Sequence, residues 1–204
     1  MKLYDSAGAP NPRRVKIFLA EKELSVPLVE VSIAKGEHRT PAFLEKNPLG
    51  QLPLLELDDG TRIAESVAIC RYFEELYPEP PLFGMDAVDQ ALVEMWNRQM
   101  EFQIFVPLAQ VFRNTHHFFQ GRIPQVPEYG ELCRKAALKA YGWLDAELGK
   151  RRCVAGERYT VADITAQCAF DFFGRILKML PDAGQHPNLA RWYAEVSARP
   201  SAKA

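Results

Sequence analysis

The chain has 204 residues, enough for one large domain or two small ones, each with its own core. Hydrophobic residues make up 48% and charged residues 25%, the balance of a soluble globular protein. The formal net charge of −1 excludes a global field that would steer the chain onto nucleic acid or an anionic membrane, so neither is expected as a partner.

The first residues, "MKLYDSAGAP", lack the long apolar core of a secretory signal. No apolar run approaches the roughly 20 residues that a membrane span needs. The expectation is a cytoplasmic protein. Cys70, Cys133, Cys153 and Cys168 form no C-x-x-C pair and no close set with histidine, which argues against a disulfide framework or a metal site. His116 and His117 are adjacent; on a helix they would point apart and could not share a metal. The short basic runs Arg13-Arg14 and Lys150-Arg151-Arg152 read as solvated surface.

In chain order, "KLYDS" is a short strand. "PRRVKIFLAEKE" carries Val15, Phe18 and Leu19 at helical spacing. "LVEVSI" alternates, with Val29, Val31 and Ile33 on one face. Thr40-Pro41 is an N-cap followed by proline, and that short helix ends near Asn47-Pro48. "LPLLEL" and "TRIA" are strands joined through Asp58-Asp59-Gly60, a three-residue hairpin loop with Gly where a left-handed residue is needed. "SVAICRYFEELY" closes the region as a helix. The order β-α-β-α-β-β-α implies crossovers, a partly parallel sheet and an antiparallel edge, the pattern of a thioredoxin-like unit.

"PEPPLFG" at 78–84 is the natural linker. Beyond it strand signals nearly vanish. Residues 87–119 read as one long helix or two, with Pro107 forcing a kink or break. Helices follow near 128–148, from Thr160, and after Pro187. The expected organisation is an α+β domain over 1–78, a linker over 79–86 and an all-helical domain over 87–204.

Several short motifs carry chemistry. In "GQLPLL" Pro53 either starts an edge strand or follows a cis bond that turns the backbone amide and carbonyl of Leu52 outward, free to pair with a peptide-like ligand. In "AESVAI" Ser66 is a good N-cap, and the helix amides beyond it form an anion site, with Glu65 able to bind an ammonium group. Simple capping is the competing reading. "TVAD" at 160–163 resembles a capping box with Asp163 at N3 and reads as structural.

Taken together these pieces resemble a cytosolic, bacterial-type glutathione transferase. "NPLGQLPLLELDDGTRIAESVAICRYFEELYP" is similar to the glutathione-binding half of that family, "VAGERYTVADI" to its C-domain capping box, and "HPNLARWYAEVSARPS" to its terminal helix. The resemblance covers essentially the whole chain. It implies that Glu65 and Ser66 bind the γ-glutamyl end of glutathione and that Leu52, before the cis-proline Pro53, pairs with the cysteinyl unit. It places Gln51 and His38 near the glycine end. It also implies a homodimer and a second substrate, a small electrophile or a disulfide, held against the helical domain. Phe102, Phe105, Phe112 and His116 are its expected lining, with Met95 and Val106; at helical spacing each also reads as core. Glutathione is the co-substrate, and no metal is expected.

One departure from the pattern concerns the thiol. A free cysteine thiol has a pKa of about 8.5, and each unit of lowering takes about 1.4 kcal/mol of preferential thiolate stabilisation. Many members place Tyr, Ser or Cys before the first helix; residues 9–12 here are Ala-Pro-Asn-Pro. Ser6 is a candidate for the thiol, although it lies three residues early, and Tyr4 reads as a packed strand aromatic. Asn11 is the remaining polar group, expected as N-cap with Pro12 at the first helical position. Capping uses only its oxygen, which leaves two N–H donors for a thiolate. Some nu-like members have an Asn near the thiol and tend toward disulfide or peroxide chemistry. The competing functions are therefore a glutathione-dependent disulfide reductase or peroxidase and a non-catalytic glutathione-binding module.

Overall fold

The computed structural model describes residues 1–204. The chain divides into two compact units, Met1–Leu82 with Pro200–Ala204, and Phe83–Arg199.

The first unit is built on β1 (Lys2–Asp5), α1 (Pro10–Glu21), β2 (Leu28–Glu30), α2 (Pro41–Leu44), β3 (Leu54–Glu56), β4 (Arg62–Ala64) and α3 (Ser66–Leu76). The sheet order is β2-β1-β3-β4, with β1 parallel to β2 and antiparallel to β3, and β3 antiparallel to β4. This is the thioredoxin-like arrangement. Strand periodicity sends successive side chains to opposite faces. Leu3 and Leu55 pair across the β1–β3 ladder without exposure. Tyr4 and Leu54 turn the other way, into a cluster with Val31, Phe43 and Leu52. Tyr4 is thus a packed aromatic; its ring meets Phe43 edge-on, and its hydroxyl donates to Glu56 Oε2 at 3.1 Å. The expected face of "LVEVSI" holds: Val29, Val31 and Ile33 all join this cluster, although β2 itself spans only three residues. Gly60 takes φ +86 in the hairpin loop, a value that favours a residue without Cβ.

Helices α1 and α3 pack on each other. A cation without exposure ties their far ends: Lys22 Nζ lies 2.5 Å from Glu74 Oε2 and donates to the carbonyls of Tyr77 and Pro80 at 2.7 Å. The last five residues, assigned from sequence to the helical half, belong to this unit. Arg13 Nη2 donates to Ala202 O at 2.7 Å, and Ser201 Oγ donates to Glu21 Oε1.

The second unit contains α4 (Ala87–Gln99), α5 (Val106–Thr115), α6 (Pro127–Leu148), α7 (Val161–Ala169) and α8 (Pro187–Ser197). A π-helical stretch, 100–105, joins α4 to α5. Pro107 therefore neither breaks the rod nor ends it: the wider π turn just before it accommodates the missing donor and the ring that would strike a preceding carbonyl. Every residue of α7 is buried, and the helix is apolar on most faces, as a central helix must be. The capping box forms. Asp163 Oδ2 accepts from Thr160 N at 2.9 Å, while Asp163 Oδ1 accepts from Val154 N and from Trp192 Nε1 at 2.9 and 2.8 Å.

Candidate active site

Helix α1 begins two residues earlier than the capping rule suggests. Ala9 is the N-cap, Pro10 is the first helical residue, and no side chain caps the end. Both Pro10 and Pro12 fit the first turn, where backbone N–H groups have no intrahelical partner, so the helix starts at the first of them. Asn11 is therefore not the cap. Its amide makes no hydrogen bond within the chain; it is half-buried and lines a cleft in the first unit.

The rest of that cleft comes from two loops and a helix start. Asn47, Leu49, Gln51, Leu52 and Pro53 contribute one wall; Ala64, Glu65 and Ser66 contribute the other. Asn47 braces its wall: Nδ2 donates to Gln51 O at 2.9 Å, and Oδ1 accepts from Leu49 N at 3.2 Å. The Leu52-Pro53 bond is cis, and no backbone group of the chain pairs with the amide or carbonyl of Leu52. A buried peptide unit normally finds a partner, and this one finds none in the chain.

Ser66 is not the N-cap of α3 either; it is the first helical residue. The cap position belongs to Glu65, at φ +68 and ψ +116. An L-residue with a side chain rarely adopts such a conformation, and strain of this kind persists where surrounding structure enforces it. Glu65 is exposed at this position, beside the first amides of α3. Ser66 Oγ accepts a hydrogen bond from Arg14 Nη1 at 2.7 Å. Arg14 is only 3% exposed, so the reading of Arg13-Arg14 as solvated surface fails for Arg14.

The structure does not bring every candidate to the cleft. Ser6 is buried at the end of β1 and does not line it. His38, in a 3₁₀ turn at Glu37–Arg39, does not line it either; burial of the ring is the main cause of its lowered pKa. No cysteine lines the cleft, and burial pushes the Cys153 thiol up to about 12, so it stays protonated.

In the second unit, Phe105 and Phe112 are nearly buried and both meet Phe173, at ring-centroid distances of 5.2 and 5.9 Å. The His116 ring meets Phe112 at a tilt, with centroids 4.8 Å apart. Phe102 stands apart, 53% exposed, with the Arg98 guanidinium 4.4 Å over its ring. Because α5 ends at Thr115, His116 and His117 are not held apart by a helix; their rings lie 4.2 Å from one another, contrary to the expectation from spacing. No group of three or more metal-binding side chains is present.

Asn47 and Arg14 were not singled out from sequence. Asn47 had a signal, since Asn-Pro marks a turn, and turns shape clefts. Arg14 had none, because a charged residue gives no hint of burial until its partner is known.

Residues 3–81 match the family model for the glutathione S-transferase N-terminal domain, and residues 115–200 match that for the C-terminal domain. Over its whole length the chain is 37% identical to glutathione S-transferase 2 of Saccharomyces cerevisiae, covering 88% of that protein. The crystal structure of Gtt2 from Saccharomyces cerevisiae superposes with a TM-score of 0.92 at 36% identity, covering 100% of this chain and 99% of the other. A class Gtt2 glutathione S-transferase of Vibrio parahaemolyticus gives 0.87 at 38% identity, over 98% and 95%. With both halves matched in order and the whole length shared, the chain belongs to the glutathione S-transferase family and is a transferase enzyme.

Proposed function

We propose that this transferase holds glutathione in the cleft between Asn11, Leu52 and Glu65-Ser66 and attacks small electrophiles with its thiolate. The observation that carries the reading is the Leu52 peptide unit, with no partner in the chain, beside an open helix start. An extended tripeptide pairs its cysteinyl backbone with Leu52. Its γ-glutamyl carboxylate meets Ser66 and the first amides of α3, its amine meets Glu65, and its glycine end lies toward Gln51. The thiol then faces the start of α1. Asn11 donates its amide N–H to the sulfur, and the helix dipole adds about 0.3–1 kcal/mol in favour of the anion. A hydrogen bond to a charged group contributes about 1.5–3 kcal/mol. Together these lower the thiol pKa by about 1–3 units, which is enough to ionise a useful fraction at neutral pH.

Phe105, Phe112 and His116 supply the apolar second-substrate surface, and the exposed Phe102 is assigned elsewhere. Val88, Leu92, Met95, Phe102 and Val106 are all exposed and recur at helical spacing along 88–106. This stripe supports a homodimer through that face. No helix is long and apolar enough to cross a membrane; with four free cysteines the chain fits a reducing, cytoplasmic compartment.

The test is the ultraviolet thiolate absorbance of bound glutathione against pH. In the wild type the bound thiol titrates about 1–3 units below its free value. Asn11→Ala moves it back by about one unit. An unshifted wild-type thiol refutes thiolate activation, and an Asn11→Ala variant with a wild-type pKa removes Asn11 from the mechanism. Assays with an aryl halide and with a mixed glutathione disulfide then divide conjugation from disulfide reduction. The second activity would run through two glutathiones, because no protein cysteine lines the cleft.

A further inference from the structure

Burying a guanidinium is costly unless the charge is hydrogen-bonded. Arg14 on α1 is 3% exposed, and its Nη1 donates to Ser66 Oγ at 2.7 Å. Ser66 is itself 4% exposed, yet it lines the cleft. A hydroxyl has one hydrogen and two lone pairs, whereas a guanidinium can only donate. Arg14 therefore occupies a lone pair of Ser66 and leaves the hydroxyl hydrogen to point elsewhere. No acceptor within the chain takes that hydrogen. The direction left open is the cleft, at the N-terminus of an 11-residue helix.

We infer that Arg14 is a positioning residue for this site: it fixes Ser66 as a hydrogen-bond donor and so makes the α3 end of the cleft selective for a ligand carboxylate over a neutral group. The inference rests on the reading of Ser66 as the contact for the γ-glutamyl carboxylate. A serine free to rotate presents a lone pair or a hydrogen with similar ease; a serine held from behind by a cation presents the hydrogen. The guanidinium also places a positive charge behind the hydroxyl, where solvent screens it little. Arg14 touches no ligand in this arrangement and acts through Ser66.

The experiment compares two ligands: glutathione, and the same peptide with a γ-aminobutyryl group in place of γ-glutamyl, which lacks that one carboxylate and that amine's neighbour charge. Dissociation constants are measured for the wild type, Arg14→Met, Arg14→Lys, Ser66→Ala and the Arg14→Met/Ser66→Ala double variant. Arg14→Met weakens glutathione about tenfold and the analogue less than about twofold. In the Ser66→Ala background the same change costs less than about threefold, because the two residues act as a unit. Arg14→Met also raises KM for glutathione more than it lowers kcat, and Arg14→Lys recovers part of the loss.

Equal weakening of both ligands by Arg14→Met, or its full effect persisting on Ser66→Ala, overturns the positioning role and leaves Arg14 a structural cation. If Ser66→Ala leaves glutathione binding unchanged, the reading of Ser66 falls, and the inference falls with it. If Ser66→Ala weakens binding while Arg14→Met does not, the inference alone is wrong. Where Arg14→Met does not fold, Arg14→Lys carries the comparison: loss selective for glutathione supports the role, and loss equal for both ligands overturns it.

Discussion

Helices α7 and α3 both start on a short polar signal, Thr160 to Asp163 in one and Glu65-Ser66 in the other, and the chain uses the two starts in opposite ways. At α7 the end is closed. Asp163 has no exposure and accepts from the backbone of Thr160 and Val154, from the Thr160 hydroxyl and from the Trp192 ring. Burial raises its pKa, and the four donors oppose that rise. At α3 the end is open. The cap residue is strained at φ +68, its carboxylate is exposed, and no side chain closes the first turn. A satisfied helix end stabilises the fold; an unsatisfied one, held open by its surroundings, is available to a ligand.

The contrast breaks most visibly at Asp163. Asp163→Ala leaves several buried donors without acceptors and costs about 3 kcal/mol or more. Urea denaturation measures that loss. At temperatures where the variant stays folded, glutathione affinity changes little; a large, selective loss of affinity would move Asp163 out of the structural class. At the open end the pattern reverses. Ser66→Ala weakens glutathione binding by about tenfold or more, yet shifts the urea midpoint only slightly. A drop in stability as large as that of Asp163→Ala would erase the distinction between the two ends.

Glu65→Gly sharpens the comparison further. Removing Cβ relieves the positive-φ strain and raises stability by about 1 kcal/mol net of the added backbone entropy, while glutathione binding weakens because the carboxylate is gone. Stability and affinity moving in the same direction would argue that the strain has no functional reason. The smallest effect lies away from both ends, on the sheet. Lys2, then Tyr4 and Lys46, hydrogen-bond Glu56 and hold its carboxyl at about 2, below the usual 4.5. A carboxylate lowered on folding stabilises the fold above its unfolded pKa and loses that contribution as pH falls through the folded value. Part of the acid loss of stability between pH 4.5 and 2 therefore belongs to Glu56. Glu56→Gln flattens that part of the urea-midpoint profile, and an unchanged profile removes Glu56 from the account.

Local rules were readable from the chain alone. Alternation in "LVEVSI", the hairpin at Asp58-Asp59-Gly60, the capping box at Thr160 and the proline-rich linker each rest on a few neighbouring residues, so their period and turn chemistry are written in order along the sequence. Pro53 and Glu65-Ser66 stand out locally, but neighbouring residues leave a plain structural reading open at each; the structure shows the Leu52-Pro53 bond cis. Boundaries were less readable. Asn11 and Ser66 each read as a cap, yet each lies one or two positions inside its helix, because two prolines in one case and an enforced positive φ in the other move the start.

Only the tertiary structure decided the rest. Arg14 reads as a surface charge until α1 is laid against α3 and its guanidinium meets Ser66. Residues 200–204 read as a helical tail until Arg13 and Glu21 bind them to the first unit. Ser6 and His38 read as candidates for the cleft until their positions are known, and the cleft is lined without them. The sequence by itself determined the elements, their order and the family they make, because those depend on contacts a few residues apart. Which charges are buried, and which polar groups remain open to a ligand, depends on residues some fifty positions apart, such as Arg14 and Ser66, and distance in the chain carries no trace of that meeting.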